Sequence, residues 1–188
     1  MTHTKSSDIK VVDYDSPVEY ITRDGRLYNA NTDYLLPVDE GESLRLSRFP
    51  VAHNYLFGAP FAERLEKGIV VLDSACGAGA HWSKAMGEKY PSSVFTGVDI
   101  SNVFPSESFS NIEFKMGNIP KSIPFPDETF DFSFQKLLGL PFTSEEWDSN
   151  SKELHRILKP GGYIELSEIY GVSAHNIGPL MSQVMHAL

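Results

Sequence analysis

Short apolar runs alternate with longer amphipathic segments along most of this 188-residue chain. The short runs predict strands at 70–73, 94–99, 112–116, 130–134 and 163–166. Helical periodicity extends from Gly79 to Tyr90, and again from Thr143 to a point just before Pro160. Strands that are joined by such crossovers favour an α/β fold with a doubly wound, mostly parallel sheet. Ligands of such sheets bind at the carboxyl ends of the strands.

The segments outside this region predict smaller elements. A hairpin is predicted over 20–28, because Asp24-Gly25 is a typical two-residue turn, and two amphipathic helices are predicted between Glu42 and Lys67. Residues 18–67 would thus form a cap, preceded by a polar tail at 1–17 that we expect to be disordered. Near the other end, a proline followed by spaced apolar residues predicts a helix over 179–188.

The first strand leads into a loop of small residues that is typical of a nucleotide site. Small side chains from Ala75 to Gly79 let the backbone approach a ligand, and the helix that follows supplies unpaired N–H donors. Asp73 ends the strand, where a carboxylate suits an ammonium group better than a pyrophosphate. Trp82 stands where the third glycine of the dinucleotide fingerprint belongs. S-adenosylmethionine therefore fits this loop better than NAD.

The next strands supply the other groups of such a site. Asp99 ends the second strand 20 residues after Gly79, near the spacing at which an acid meets ribose hydroxyls. Asn118 follows the third strand, where its amide is suited to an adenine edge, and Gln135 follows the fourth. The predicted cofactor-binding residues are Asp73, Ala75, Gly77, Gly79, Asp99, Ile100, Asn118, Ile119 and Gln135.

No catalytic residue is identifiable, and no histidine has metal-ligand spacing. Cys76 is interpreted as a small buried hydrophobe. His81 is interpreted as a packing residue rather than a base, because no carboxylate partner stands at a fixed spacing from it. Glu168 and Tyr170 either line an acceptor pocket or face solvent.

These motifs, in this order, resemble the class I S-adenosylmethionine-dependent methyltransferases. The stretch Leu158-Lys159-Pro160-Gly161-Gly162-Tyr163-Ile164-Glu165-Leu166 resembles that family's approach to its fifth strand. Tyr34-Leu35-Leu36-Pro37, followed by Glu42, Arg45 and Leu46, resembles fungal members, a group that includes regulators of secondary metabolism. The stretch from Pro124 to Phe132 resembles the same group. Ala75 and Asn118 depart from the family's commoner glycine and aspartate.

The resemblance implies a Rossmann-like fold with the strand order 3-2-1-4-5 and S-adenosylmethionine as the cofactor. It implies methyl transfer to a small-molecule or protein acceptor by positioning and desolvation. Because the family's fold has seven strands, residues 68–188 are expected to form a C-terminally incomplete cofactor-binding domain. An exposed fifth-strand edge then predicts possible homo-oligomers. Two alternatives stay open: a non-catalytic protein that keeps the fold and the cofactor, and, more weakly, an NAD-dependent oxidoreductase.

Composition and charge limit the classes of partner that this chain can bind. The formal net charge is −9, which argues against nucleic acid as a partner, since phosphate binding needs clustered Lys and Arg. The single cysteine excludes an internal disulfide. The sequence has no apolar run long enough to span a membrane and no signal-peptide pattern at residues 1–10. We therefore expect a cytoplasmic or nuclear protein.

Overall fold

A computed structural model describes residues 18–30, 32, 34–48, 61–139 and 141–168. Its elements in chain order are β1 (Tyr20–Arg23), β2 (Arg26–Asn29), α1 (Glu40–Ser47), α2 (Ala62–Lys67), β3 (Val70–Ser74), α3 (His81–Lys89), β4 (Val94–Asp99), β5 (Ile112–Met116), β6 (Phe130–Lys136), α4 (Ser144–Ile157) and β7 (Leu158–Ser167). The predicted tail at 1–17, the predicted helix at 179–188 and Tyr170 lie outside the described residues.

Strands β3 to β7 form one sheet in the order β5-β4-β3-β6-β7, and all of the pairs are parallel. This is the predicted order 3-2-1-4-5, so the predicted doubly wound α/β fold is confirmed. The carboxyl ends of β3, β4, β5 and β6 consequently meet along one edge of the sheet. That edge is where the sequence places its acids and amides.

The core lies on both faces of this sheet because strand residues alternate in direction. On β3, Val71 packs in the cluster with α3, and Leu72 packs in the cluster with α4. Trp82 at the start of α3 stacks on Phe134 of β6, with ring centroids 4.1 Å apart. The residue that replaces the third fingerprint glycine thus anchors α3 to the sheet by a large aromatic contact.

Strand β7 begins at Leu158, directly after α4 and earlier than the predicted strand at 163–166. Leu158 pairs with Phe130, and the register then shifts before Phe132 pairs with Tyr163. Pro160 lies in this added segment, which an edge strand tolerates because no neighbour needs its N–H. Among the described residues, β7 is the edge of the sheet, and its exposed apolar side chains are those of Tyr163, Ile164 and Leu166. Association through this edge stays a prediction.

The cap contains the predicted hairpin, formed by β1 and β2, and two helices, α1 and α2. Asp24 and Gly25 both have positive φ, which is the backbone of the predicted two-residue turn. Arg26 donates two hydrogen bonds to Asp39, the N-cap of α1, and thereby lowers the pKa of that carboxyl. The hairpin reaches the sheet domain where Asn29 Nδ2 donates to Ser101 Oγ at 2.8 Å.

Helix α4 begins with a capping box. Thr143 Oγ1 accepts a hydrogen bond from the Glu146 N–H at 3.2 Å, and a Glu146 carboxylate oxygen accepts one from the Thr143 N–H at 2.9 Å. The helix buries Leu154 and Ile157 against the sheet, so its stability contributes to that of the whole domain.

We expect Thr143→Ala to lower the free energy of unfolding by about 1 kcal/mol, because one orphan N–H loses its acceptor. Thr143→Ser keeps the hydroxyl and should remain near the wild type. Urea unfolding of the three proteins measures the difference. Equal stability of the Ala and Ser variants would show that the cap contributes nothing.

Candidate cofactor-binding site

The loop between β3 and α3 carries an unusual run of left-handed backbone. Ala75, Gly77, Gly79 and Ala80 have φ of 54°, 74°, 79° and 43°. Glycine adopts this region without cost, whereas alanine is strained there. The geometry therefore explains why glycine is the commoner residue at the position of Ala75. The strain lies at the predicted ligand loop, as strained backbone in functional sites often does.

The backbone of this loop is bonded to the end of β4. The Cys76 N–H donates to the Val98 carbonyl at 3.0 Å, and the Gly77 N–H donates to Asp99 Oδ2 at 2.9 Å. The Ser101 N–H donates to Asp99 Oδ1 at 3.0 Å. An ionised carboxylate offers about four acceptor sites. Asp99 therefore keeps acceptor capacity for two hydroxyl groups while it holds the loop.

Burial raises the pKa of Asp99, and the two backbone hydrogen bonds oppose that shift. Burial also raises the pKa of Asp73, against the charge of Lys136 and the hydroxyl of Ser83. Desolvation dominates at both acids. They lie at the ends of neighbouring strands, β4 and β3.

Asp73 is fully buried and incompletely bonded. Its Oδ2 accepts a hydrogen bond from Ser83 Oγ at 2.6 Å. Its Oδ1 has no hydrogen-bond partner among the described residues, and Lys136 Nζ lies 4.0 Å from it. A buried acceptor without a donor costs free energy that a ligand donor would recover.

Asn118 is the third predicted polar residue at this edge. It follows β5 and is 8% exposed, and its Oδ1 has no hydrogen-bond partner in the described part of the chain. The Gly117 N–H donates to the Asp99 carbonyl at 2.9 Å, which brings the two strand ends together. Ile100, directly after Asp99, is half-buried. Ile119 instead packs in the core with Leu72 and Val98.

Gln135 lies on the other face of the sheet from Asp73. Its Oε1 accepts hydrogen bonds from Ser74 Oγ at 3.0 Å and from Asn150 Nδ2 of α4 at 2.9 Å. The next residue, Lys136, is directed to the Asp73 face because β6 alternates. Reading this alternation two residues past Phe134 would have selected Lys136, which the sequence-based set omits.

Helix α1 packs on the glycine loop. A Cβ on Gly77 would lie 3.0 Å from Leu46 Cδ1, and one on Gly79 would lie 2.7 Å from Ser43 Oγ. Ser43 Oγ is hydrogen-bonded to His81 Nε2 at 3.0 Å. Larger residues at either glycine would displace α1, so the loop and the cap are matched in shape.

The surroundings of His81 and Cys76 shift the pKa values of both side chains. Burial lowers the pKa of His81, against its hydrogen bond to Ser43, so the ring is neutral near pH 7. Burial raises the pKa of the Cys76 thiol, which is 2% exposed, so little thiolate forms. The buried thiol agrees with the interpretation of Cys76 as a small buried hydrophobe, and the interpretation of His81 stays a prediction.

A cavity of about 540 Å³ opens on the outer side of the loop. It lies between the hairpin, α1, α3 and the segment 102–107, and Gly79, His81 and Lys84 form part of its wall. Asp73, Asp99 and Asn118 do not line it. The buried acids at the ends of β3 and β4 are therefore separate from the wall of this cavity.

The residues at this edge fit S-adenosylmethionine. Two buried side-chain oxygens, Asp73 Oδ1 and Asn118 Oδ1, accept no hydrogen bond from the described residues. Asp99 keeps acceptor sites beside a loop that tolerates close approach. The cofactor offers an ammonium, an adenine amino group and two ribose hydroxyls as donors. A doubly wound parallel sheet with such a site at its carboxyl edge is the arrangement that the resemblance to class I methyltransferases implies.

Comparison with known proteins agrees with that class. Residues 71–162 match a family described as methyltransferase domain. The methyltransferase pytC of Aspergillus terreus is 26% identical over 182 residues, covering 90% of this chain and 54% of that protein. The demethylmenaquinone methyltransferase of Listeria welshimeri is 32% identical over 111 residues, covering 54% of this chain and 45% of that protein.

The chain thus spans about half the length of the curated relatives that it matches. Among solved structures, a SAM dependent methyltransferase from Aquifex aeolicus superposes with a TM-score of 0.51 at 18% identity, covering 72% of this chain and 80% of that one. That likeness shows the fold.

Residues 71–162, about half of the chain, thus match a methyltransferase domain, and the sheet has the Rossmann-like fold of class I methyltransferases. The domain match and the fold support S-adenosylmethionine as the cofactor, as the sequence predicts. Within the described residues, no helix has the length and hydropathy to cross a membrane. In the same residues, no group of three or more His, Cys, Asp or Glu side chains is placed to hold a metal ion.

His81 predicts a pH dependence of stability. Its pKa is lowered in the folded chain from an ordinary value of about 6.5, so the unfolded chain binds the proton first as the pH falls. Stability should therefore be lost as the pH drops through 6.5 and below. Urea unfolding at pH 7.5 and 5.5 should show a larger loss for the wild type than for His81→Gln.

The exposed His155 provides a matched control on α4. His155→Gln should behave as the wild type does over the same interval. If His81→Gln and the wild type lose stability equally, His81 does not titrate as its environment indicates.

Proposed function

We propose that this chain transfers the methyl group of S-adenosylmethionine to a small-molecule or protein acceptor. One observation carries the proposal: Asp73, Asp99 and Asn118 converge at one sheet edge with unused acceptor capacity, beneath a loop that approaches ligands closely. These acceptors match the donors of the cofactor.

We assign the residues by their geometry. Asp99 receives the ribose hydroxyls, Asn118 an adenine edge and Asp73 the ammonium. Gly77 and Gly79, with Ala75, supply the close backbone approach, and Ile100 borders the nucleoside beside Asp99. Ile119 and Gln135 contribute through backbone position and packing, since their side chains are engaged elsewhere.

The cofactor, when bound, supplies a methyl group on a sulfonium that needs no further activation. The protein then has to orient the two reactants and exclude water. Helix α1 contributes to exclusion, because Leu46 and Ser43 pack on the glycine loop. His81 is hydrogen-bonded to Ser43 of α1, which supports a role in holding this cap.

The likeness to fungal members is also part of the proposal. Two of the cap residues that carry it, Glu42 and Arg45, form a bidentate ion pair on α1. A third, Tyr34, has a raised pKa, chiefly because it is buried and also because of the negative charge of Asp99. The relative from Aspergillus terreus covers 90% of this chain and therefore most of the cap. Both observations support a cap that belongs to the same site.

We expect Asp99→Ala to weaken binding of S-adenosylhomocysteine by roughly tenfold to a hundredfold, since each lost charged hydrogen bond costs about 1.5–3 kcal/mol. Asp127→Ala removes an exposed aspartate that pairs with Arg156, away from the site, and should leave affinity unchanged. Calorimetric titration measures both variants, with thermal unfolding as the check on folding. Unchanged affinity in a folded Asp99→Ala protein would exclude the ribose assignment.

A second prediction separates positioning from base catalysis. His81→Ala should keep most of the turnover on any acceptor that the wild type methylates, measured as S-adenosylhomocysteine formed. Loss of a general base costs about a hundredfold or more. A loss of that size with unchanged cofactor affinity would make His81 a base. Cofactor binding with no transfer to any acceptor would instead favour the non-catalytic alternative.

A further inference from the structure

Lys136 is a buried cation at the centre of the site, and the roles assigned above do not use it. The residue is 6% exposed at the carboxyl end of β6. Its charge acts on the pKa values of Asp73, Asp99, Cys76 and His81. Its nearest recorded partner is Asp73 Oδ1, and the 4.0 Å between them is too long for a hydrogen bond.

The Asp73–Lys136 pair is incomplete as a structural ion pair. Buried charges are stable when they are paired and hydrogen-bonded, since their desolvation costs several kcal/mol each. Asp73 Oδ1 accepts no hydrogen bond from the described residues. Within the same residues, Lys136 Nζ has Asp73 Oδ1 at 4.0 Å and the Phe134 ring centroid at 5.6 Å, and neither contact is a hydrogen bond. The pair at the other end of β6 differs: Lys159 Nζ lies 2.9 Å from Asp131 Oδ1.

The backbone that carries Lys136 is held in place. Leu137 directly after it has φ of 58°, and its N–H donates to the Ser167 carbonyl at 3.0 Å. The Glu168 carboxylate accepts hydrogen bonds from the N–H groups of Leu138 at 3.0 Å and Gly139 at 2.9 Å. Strained backbone that is bonded on three successive amides fixes the direction of β6's last side chain.

We propose that Lys136 and Asp73 together bind the α-amino acid group of the cofactor, with Lys136 Nζ on its carboxylate and Asp73 Oδ1 on its ammonium. This inference rests on the proposed function. Two opposite charges about 4 Å apart, each with hydrogen-bonding capacity to spare, complement a group that carries the reverse charges on neighbouring atoms. A pyrophosphate or a simple anion would give Asp73 no hydrogen-bond donor or positive charge.

The test compares two ligands that share the nucleoside and the sulfur. S-adenosylhomocysteine carries the amino acid group, whereas 5′-methylthioadenosine lacks it. Lys136→Met should weaken the binding of S-adenosylhomocysteine by about tenfold to a hundredfold. Its affinity for 5′-methylthioadenosine should stay unchanged. Calorimetric titration measures both. Asp73→Asn should show the same selectivity. Lys136→Arg restores the charge and should recover part of the lost affinity.

Lys159→Met is the matched control, since it removes a lysine from the Lys159–Asp131 pair at the opposite end of β6. It should leave both affinities unchanged, and thermal unfolding shows which variants are folded. Unchanged S-adenosylhomocysteine affinity in Lys136→Met, or an equal loss for both ligands, overturns the inference. Lost turnover with unchanged binding also overturns it and places Lys136 on the acceptor. A wild type that binds neither ligand refutes the proposed function itself.

Discussion

The hydrogen bond from the Gly77 N–H to the Asp99 carboxylate is the contact on which the site depends, because it joins the loop after β3 to the end of β4. A parallel sheet brings both strand ends to one edge, where their acids are desolvated together. Different contacts offset this desolvation at the two carboxylates. Asp99 accepts two backbone hydrogen bonds, whereas Asp73 has one hydroxyl and a more distant ammonium. Both oxygens of Asp99 are therefore hydrogen-bonded to backbone, whereas Asp73 Oδ1 accepts no hydrogen bond from the described residues.

The sheet could be predicted from the sequence because its information is local. Each buried strand is a short apolar run that ends at a polar residue, and the Thr143 capping box marks the start of α4 independently of tertiary contacts. Asp24-Gly25 likewise specifies its own turn. Strand β7 was harder, since Pro160 and the glycines beside it suggest a loop. Edge position, which depends on the whole sheet, permits a strand there.

The site was predictable in position and less so in detail. Chain order locates Asp73, Asp99 and Asn118 at strand ends, and the structure brings them to one edge. Which face a side chain takes depends on alternation within the strand, and this separates Gln135 from Lys136. Ile119 was predicted as a binding residue because it follows Asn118, but its side chain packs in the core with Leu72. Pairwise packing of this kind leaves no signal in spacing alone.

Cys76 makes the opening of the loop between β3 and α3 measurable. Its thiol is buried and its pKa is raised, so a thiol reagent reacts with it when the stretch between β3 and α3 opens. Because the chain has a single cysteine, the labelling rate of the whole protein reports the opening of this one segment. The native sequence thus contains a kinetic probe at the ligand loop, and no residue has to be introduced to follow that loop over time.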